Sequence, residues 1–501
     1  MKKFLIILTS IIAIIVLAYF ILQSLAESKI ESFLQKEIEF KEVDVNLWKG
    51  SVKVFQPKFN RDGKNIQTEK ISASGFSYYD YLVDKKIVVD ELIIHQPVIE
   101  IVSSNSSKDS TSTKKSKSSK FKKDVVVKNV KLEDGKLSFQ QDTLRKLKVE
   151  NFSVQIDSLG LNENTLKQKV PFQYKNFLVS LSRLDYTVNE LQDIAVEHLE
   201  LTPSQVEFTQ IDLKPRFSRQ DYVEVIPYEK DLMNLKLKKL NIEDYDFVLN
   251  DSGNEFDAKK VVLDSIYFTI YRDKTVKDDT RKKNLYSKML RNLKLKLSID
   301  SVKIKRAYIE YEELIQKSRP PGKLFFEDLN VDIAHVTNKN LGREDFPETK
   351  ISIQSQFMGK SPIQVDWGFK VNNPNDVFTI SGSSHNIPQE SINSFFVPAM
   401  SIKTQGEVND LYFNFRGNSV QASGDLGIDY ENFKIEVLKK GSSEKKGFMS
   451  FLANLAVKKN SKKNGSTEKH VDAVERDPTK SFWNYFWVCI EAGLRKSIIV
   501  F

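Results

Sequence analysis

Five histidines, His95, His198, His335, His385 and His470, and one cysteine, Cys489, are the side chains of this 501-residue chain best suited to metal or nucleophile chemistry. No two histidines fall at ligand spacing, and no HExxH, CxxC or EF-hand loop occurs. Neither G-x-S-x-G nor a phosphate-cradling glycine loop is present. His95 and His198 lie beside strand-patterned positions, where a lone histidine is usually structural. The acidic pairs Glu312-Glu313 and Asp278-Asp279 are placed in charged loops and read as solvated surface. Cys489 lies in an aromatic cluster and reads as a small buried hydrophobe. With a single cysteine, no disulfide forms within the chain. The expectation is a non-enzymatic protein with no cofactor or metal. Carboxylates far apart in sequence, as in glycosidases, are the catalytic arrangement left open.

The elements that would position any site are strands. Residues 85–104 read KKIVVDELIIHQPVIEIVSS, with apolar residues at Ile87 and Val89, Leu92 and Ile94, then Pro97, Ile99 and Ile101. The alternation slips by one residue twice. The same pattern (apolar at i, i+2, i+5, i+7, i+12 and i+14) starts again at Val125, Ile194, Leu235 and Leu297, and more loosely at Ile38. The copies include Val125, Val127, Val130 and Leu132; Leu235, Leu237, Leu240 and Ile242; and Leu297, Ile299, Val302 and Ile304. Period two means a strand with one apolar face. A one-residue slip sends later side chains to the wrong face unless an extra residue is absorbed. Bulged, strongly curved strands are the favoured reading, with a tight turn at the second slip as the alternative. The starts are unevenly spaced, so this is no fixed-period solenoid.

Further alternating runs cover residues 146–156, 260–271, 323–333 and 408–437. Helix candidates are few: 29–37, 285–293, 389–396, 447–458 and 482–499. One-faced sheet on this scale must close on itself as sandwiches or barrels, or curl into a trough that meets an apolar partner. The fold expected is mainly β: an elongated, curved antiparallel β-sheet groove of repeated bulged-strand units. The candidate lining is Ile87, Val89, Leu92, Ile94, Ile99 and Ile101 with the twelve residues named above from the Val125, Leu235 and Leu297 copies.

Residues 4–25 form an unbroken uncharged run after Lys2 and Lys3. A membrane-crossing helix needs about 20 such residues, and a signal-peptide core only about 7–15. Residues 1–26 therefore read as a transmembrane signal anchor, although Ser24-Leu25-Ala26 also fits a cleavage site. The flanking lysines put the N-terminus in the cytoplasm and the bulk outside it. The net charge of +9 resides in two Ser/Lys-rich stretches, 103–123 and 440–469, each net +6. No basic stripe or stacking platform accompanies them, so no nucleic-acid partner is expected. The segments are then 1–26, the anchor; 27–102, a first sheet portion; 103–123, a disordered insertion; 124–438, the repeated body; 439–480, a basic flexible linker with a short helix; and 481–501, an aromatic amphipathic helix. That last helix reads equally as a membrane-interface element, through Trp483, Tyr485 and Trp487, or as a cap on the sheet.

The anchor followed by VDVNLWKGSVKVFQPKF, the SVKIKRAYIEYEEL and GKLFFEDLNVDIAHVTN stretches, and residues 394–437 resemble AsmA-like proteins. The resemblance implies a membrane-anchored periplasmic protein of the bridge-like lipid-transfer type, with a curved β-groove and no catalytic residues. Its partners would be phospholipid acyl chains, with outer-membrane or envelope proteins possible. A membrane-tethered scaffold or assembly factor for outer-membrane proteins, and an anchored envelope hydrolase, are the competing readings.

Overall fold

The computed structural model describes residues 38–46, 48–61, 63–103, 124–142, 144–168, 170–250, 253–438, 460–461 and 467–498. The expected anchor, the 29–37 and 447–458 helices and nearly all of the 103–123 stretch lie outside these residues. The described chain is mainly β, with a few short helices. It divides into two compact units, residues 1–210 and 211–501.

Unit 1 holds β1 (Glu42–Asn46), β2 (Ser51–Phe55), β3 (Lys58–Arg61), β4 (Lys64–Gln67), β5 (Lys70–Phe76), α1 (Tyr78–Leu82), β6 (Ile87–His95), β7 (Val98–Val102), β8 (Val125–Gln140), β9 (Lys146–Leu161), β10 (Asn176–Asn189) and β11 (Gln192–Leu201). The strands pair in the order β1–β2–β5–β6–β8–β9–β10–β11. β7 pairs with the second half of β8, β4 with β7 and β3 with β4. β12 (Gln205–Pro215) crosses the unit boundary.

Unit 2 continues with α2 (Arg219–Val225), β13 (Leu232–Asn250), β14 (Gly253–Asp273), α3 (Tyr286–Arg291), β15 (Lys296–Leu314), β16 (Gly322–Thr337), β17 (Thr349–Phe357), β18 (Ser361–Phe369), β19 (Phe378–Ile387), α4 (Gln389–Met400), β20 (Ile402–Gly417), β21 (Gln421–Val437), β22 (Thr467–Glu475) and α5 (Phe482–Ile498). From β13 to β22 each strand pairs with the next in chain order.

The sheets are mixed, which corrects the antiparallel expectation. β8 runs parallel to β6 and β7, and β15 runs parallel to β14. The repeat itself is the cause. Ile87 lies beside Val125, Leu92 beside Val130 and Ile99 beside Leu137, a constant offset equal to the distance between the two copies. These two copies thus point the same way and match residue for residue. The β14–β15 pair behaves alike, with Phe256 beside Leu297 and Val261 beside Val302. It exposes a copy that the plain alternation of residues 260–271 had hidden: Phe256, Ala258, Val261, Leu263, Ile266, Phe268 and Ile270.

The slips resolve into two creases. At i+9 of five copies the backbone turns left-handed: Gln96, Asp134, Asp244, Ser265 and Arg306 have φ between +49° and +60°. At i+3 of the same copies stands an exposed charged residue, Asp90, Lys128, Lys238, Lys259 or Asp300. Each crease absorbs one residue and returns the next apolar side chain to the original face. In β8 the second crease is a bulge against β9 between Leu132 and Gly135, and in β15 one against β16 between Ile304 and Ala307. At the Ile194 copy the second slip is instead a tight turn, with the Thr202 N–H donating to the Gln205 carbonyl at 2.9 Å.

Two other expectations change. Residues 467–475, assigned to a flexible linker, form β22 against β21, with Thr467 and Val471 buried. Their charges mask the alternation. Glu312 and Glu313 are not in a loop but at the end of β15.

A left-handed residue other than glycine costs about 1–2 kcal/mol, more when β-branched. Asp134→Gly is therefore expected to leave the urea midpoint of the full chain unchanged or raise it slightly. Asp134→Val should lower it by about 1–2 kcal/mol equivalent. An unchanged midpoint for the valine variant would refute the crease as a left-handed constraint.

Candidate functional site

Four of the five histidines face a polar residue across the strand ladder. His95 lies 3.2 Å from Glu133, His198 3.3 Å from Ser182, His385 2.5 Å from Asp410 and His470 2.8 Å from Asp425. In every case the partner is the directly opposed or adjacent-strand register residue, the geometry of a stabilising cross-strand pair. His335 occupies a left-handed position at φ +58°, and its carbonyl accepts from the Thr349 hydroxyl at 2.8 Å. No group of three His, Cys, Asp or Glu suited to a metal occurs among the described residues. Asp279, expected at a solvated surface, is buried beside Arg281 (2.9 Å), whose guanidinium holds the carboxyl down to about 2.

The repeated apolar face has two fates. In unit 1 it is a packed core. Ile87, Val89, Leu92, Ile94, Ile99, Ile101, Val125, Val127, Val130 and Leu132 are all buried, together with Phe152 and Phe172. The Phe152 ring lies over Gly135, where a Cβ would come within 2.4 Å of it. These ten candidate lining residues are covered by their own neighbours.

In unit 2 the same face runs across β13, β14, β15 and β16 in ordered rows. Leu235, Phe268, Ile309 and Phe326 lie side by side; so do Leu240, Leu263, Ile304 and Val331, and Ile242, Val261, Val302 and Ile333. Tyr245, Ala258, Ile299 and Val336 form a further row, and Phe247, Phe256 and Leu297 the last. From Leu235 to Phe247 the face measures about 40 Å along β13, at ~3.3 Å per residue, and about 15 Å across four strands. Of the eight lining candidates here, Leu237 is buried and Leu235, Leu240, Ile242, Leu297, Ile299, Val302 and Ile304 are only half-buried. α4 packs on β20 and on β16 at the border of the rows, where Phe395 and Ala399 lie against Gly322, and α5 packs on β21 and β22. The buried cluster of this unit centres on β18–β22 and α5, beyond the rows.

One end of this face is polar. Arg272 holds Asp231 through two bonds, at 2.6 and 2.7 Å, and the Tyr222 hydroxyl donates to the Asp231 carbonyl at 2.9 Å. Burial opposes the Arg272 charge, but Asp231 outweighs it and the guanidinium pKa is raised. Burial, with Asp231 adding to it, pushes the Tyr222 hydroxyl up to about 12. Tyr311 donates to Glu313 at 2.6 Å, Lys274 pairs with the buried Glu229, and Lys480 pairs with Asp278 at 3.1 Å. The opposite end carries Phe247, Phe256 and Leu297 to its edge. The alternation made the apolar rows legible; the polar end, assembled from residues 222 to 480, carried no local signal.

The C-terminal helix α5 is a cap. Phe482 stacks on Trp367 at 4.5 Å, Gly493 sits against Leu426, and Tyr485 and Cys489 are buried. Tyr485, at 2% exposure, has no access to a membrane surface in this fold. Trp487 packs edge-on to Phe396 at 5.9 Å. Trp483 is half-exposed and donates its indole N–H to the Tyr286 hydroxyl at 3.1 Å.

No protein-family model matches the chain, and no curated protein matches it.

Burial pushes the Cys489 thiol up to about 12. It is therefore protonated as well as covered at pH 8, and the thiolate is the reactive form. Native protein is expected to resist a disulfide-exchange reagent at pH 8 and to react with one equivalent in urea. Rapid native labelling would show that α5 does not stay docked.

Proposed function

We propose that the chain is an AsmA-like protein anchored in the inner membrane by residues 1–26, its bulk periplasmic, that binds lipid on the apolar face of β13–β16 and passes it along in envelope lipid homeostasis. No reaction is catalysed. The observation carrying this reading is the set of aligned, half-covered apolar rows that continue from strand to strand. An apolar expanse of that size is not left half-covered without a purpose. Each methylene buried on it contributes about 0.8 kcal/mol, so a dozen contribute ~10 kcal/mol before the cost of ordering the chain. The binding is non-directional, which suits a ligand that slides. The charged end beside Arg272 and Lys274 suits a headgroup better than an acyl tail, and the hairpin end suits a tail.

A photo-crosslinking residue placed at Ile242 or Ile299 of the full chain in cells is expected to capture phospholipid. The same residue at Tyr267, on the other face of β14, should not. Ile299→Asp should lower the lipid that co-purifies. Polypeptide adducts in place of lipid would favour the scaffold reading, and equal capture at Tyr267 would refute a one-faced lipid site.

A further inference from the structure

Unit 1 bears a cluster of uncovered large side chains that the apolar face of β13–β16 does not involve. Trp48 is fully exposed, and Tyr79, Leu82 and Val83 are 70%, 73% and 59% exposed. Trp48 stands in the turn between β1 and β2, and the other three lie on α1 or at its end. The two stretches are held together. The Phe76 N–H donates to the Gly50 carbonyl at 3.1 Å, and a Cβ on Gly50 would lie 3.0 Å from that of Phe76. Tyr78 then packs edge-on against Phe76 at 4.8 Å, and Ser77 caps α1 by accepting from the Asp80 N–H. Exposed lysines flank the cluster: Lys49 beside Trp48, and Lys85 and Lys86 after α1.

Tryptophan and tyrosine with a few aliphatics and adjacent lysines are the mixture that settles at a membrane–water interface. The rings sit among headgroups, the aliphatics reach the acyl boundary and the ammonium groups meet phosphates. The chain argues for a bilayer over a protein partner. The uncharged run of residues 4–25 ends thirteen residues before Ile38, an extended reach of at most about 45 Å. A cluster tethered that closely to a membrane-length apolar run meets the bilayer surface far more often than any soluble partner.

We propose that Trp48, Tyr79, Leu82 and Val83 seat unit 1 in the headgroup layer of the membrane, with Lys49, Lys85 and Lys86 against lipid phosphates. This rests on the anchor in the reading above, but not on lipid binding at β13–β16.

The test uses the full chain reconstituted with vesicles of phosphatidylcholine and phosphatidylglycerol whose acyl chains carry bromine, a short-range quencher of indole. Residues 4–25 contain no tryptophan, so the emission reports on the folded units alone. Brominated lipid is expected to lower the emission relative to unbrominated lipid. Trp48→Phe should remove most of that decrease, whereas Trp483→Phe should leave it. Flotation with the vesicles, but with no quenching or with quenching undiminished in Trp48→Phe, overturns this proposal alone. Failure to float overturns the anchor with it, and crosslinking at Ile242 and Ile299 then stands or falls separately.

Discussion

Side-chain alternation is the constraint from which the rest of this structure follows. A strand offers its two faces in strict turn, and one extra residue exchanges them. Strands of 16 to 21 residues, such as β8, β13, β14 and β15, cannot keep one apolar face while bending unless the extra residue is absorbed somewhere. Here it is absorbed at two fixed places, by an exposed charge at the first and a left-handed residue at the second. Because neighbouring copies crease at matching registers, the apolar residues on either side line up across strands. Ile242, Val261, Val302 and Ile333 form a row only because each of their strands has already been corrected.

The same unit supports two different outcomes, and the difference lies in what covers it. In unit 1, Phe152 and Phe172 join the apolar face and complete a core. In unit 2 the large covering groups, among them Phe482, Tyr485 and Trp367, gather over β18–β22. The rows of β13–β16 receive no such cover from them. Local stability and capacity for a ligand are thus in opposition: a face filled by aromatic side chains has nothing left to offer, and a face left half-covered keeps its affinity for apolar matter.

The repeat was legible because its residues are few in kind and strictly spaced. The copy at Phe256 was obscured, since Ala258 is small and Lys259-Lys260 interrupts it. Parallel pairing had no local signal; it arises from the match between distant copies, which counting along one strand does not display. β22 was hidden by its charges, as an edge strand's sequence often is. In the C-terminal segment the aromatics were evident, but which of them turned inward depended on Leu426 and Trp367, remote in sequence. The polar end around Asp231 and Arg272 draws on five separate stretches and was illegible for the same reason.

The equality between repeat spacing and parallel register has a further consequence. Since each copy finds its neighbour by its own marks, the residues between copies carry no positional information. The residues between β7 and β8 and those between β14 and β15 differ in composition, and both pairs keep their register. Such a sheet is extended by one spacing rule used again, much as a ruler is extended by repeating its graduations.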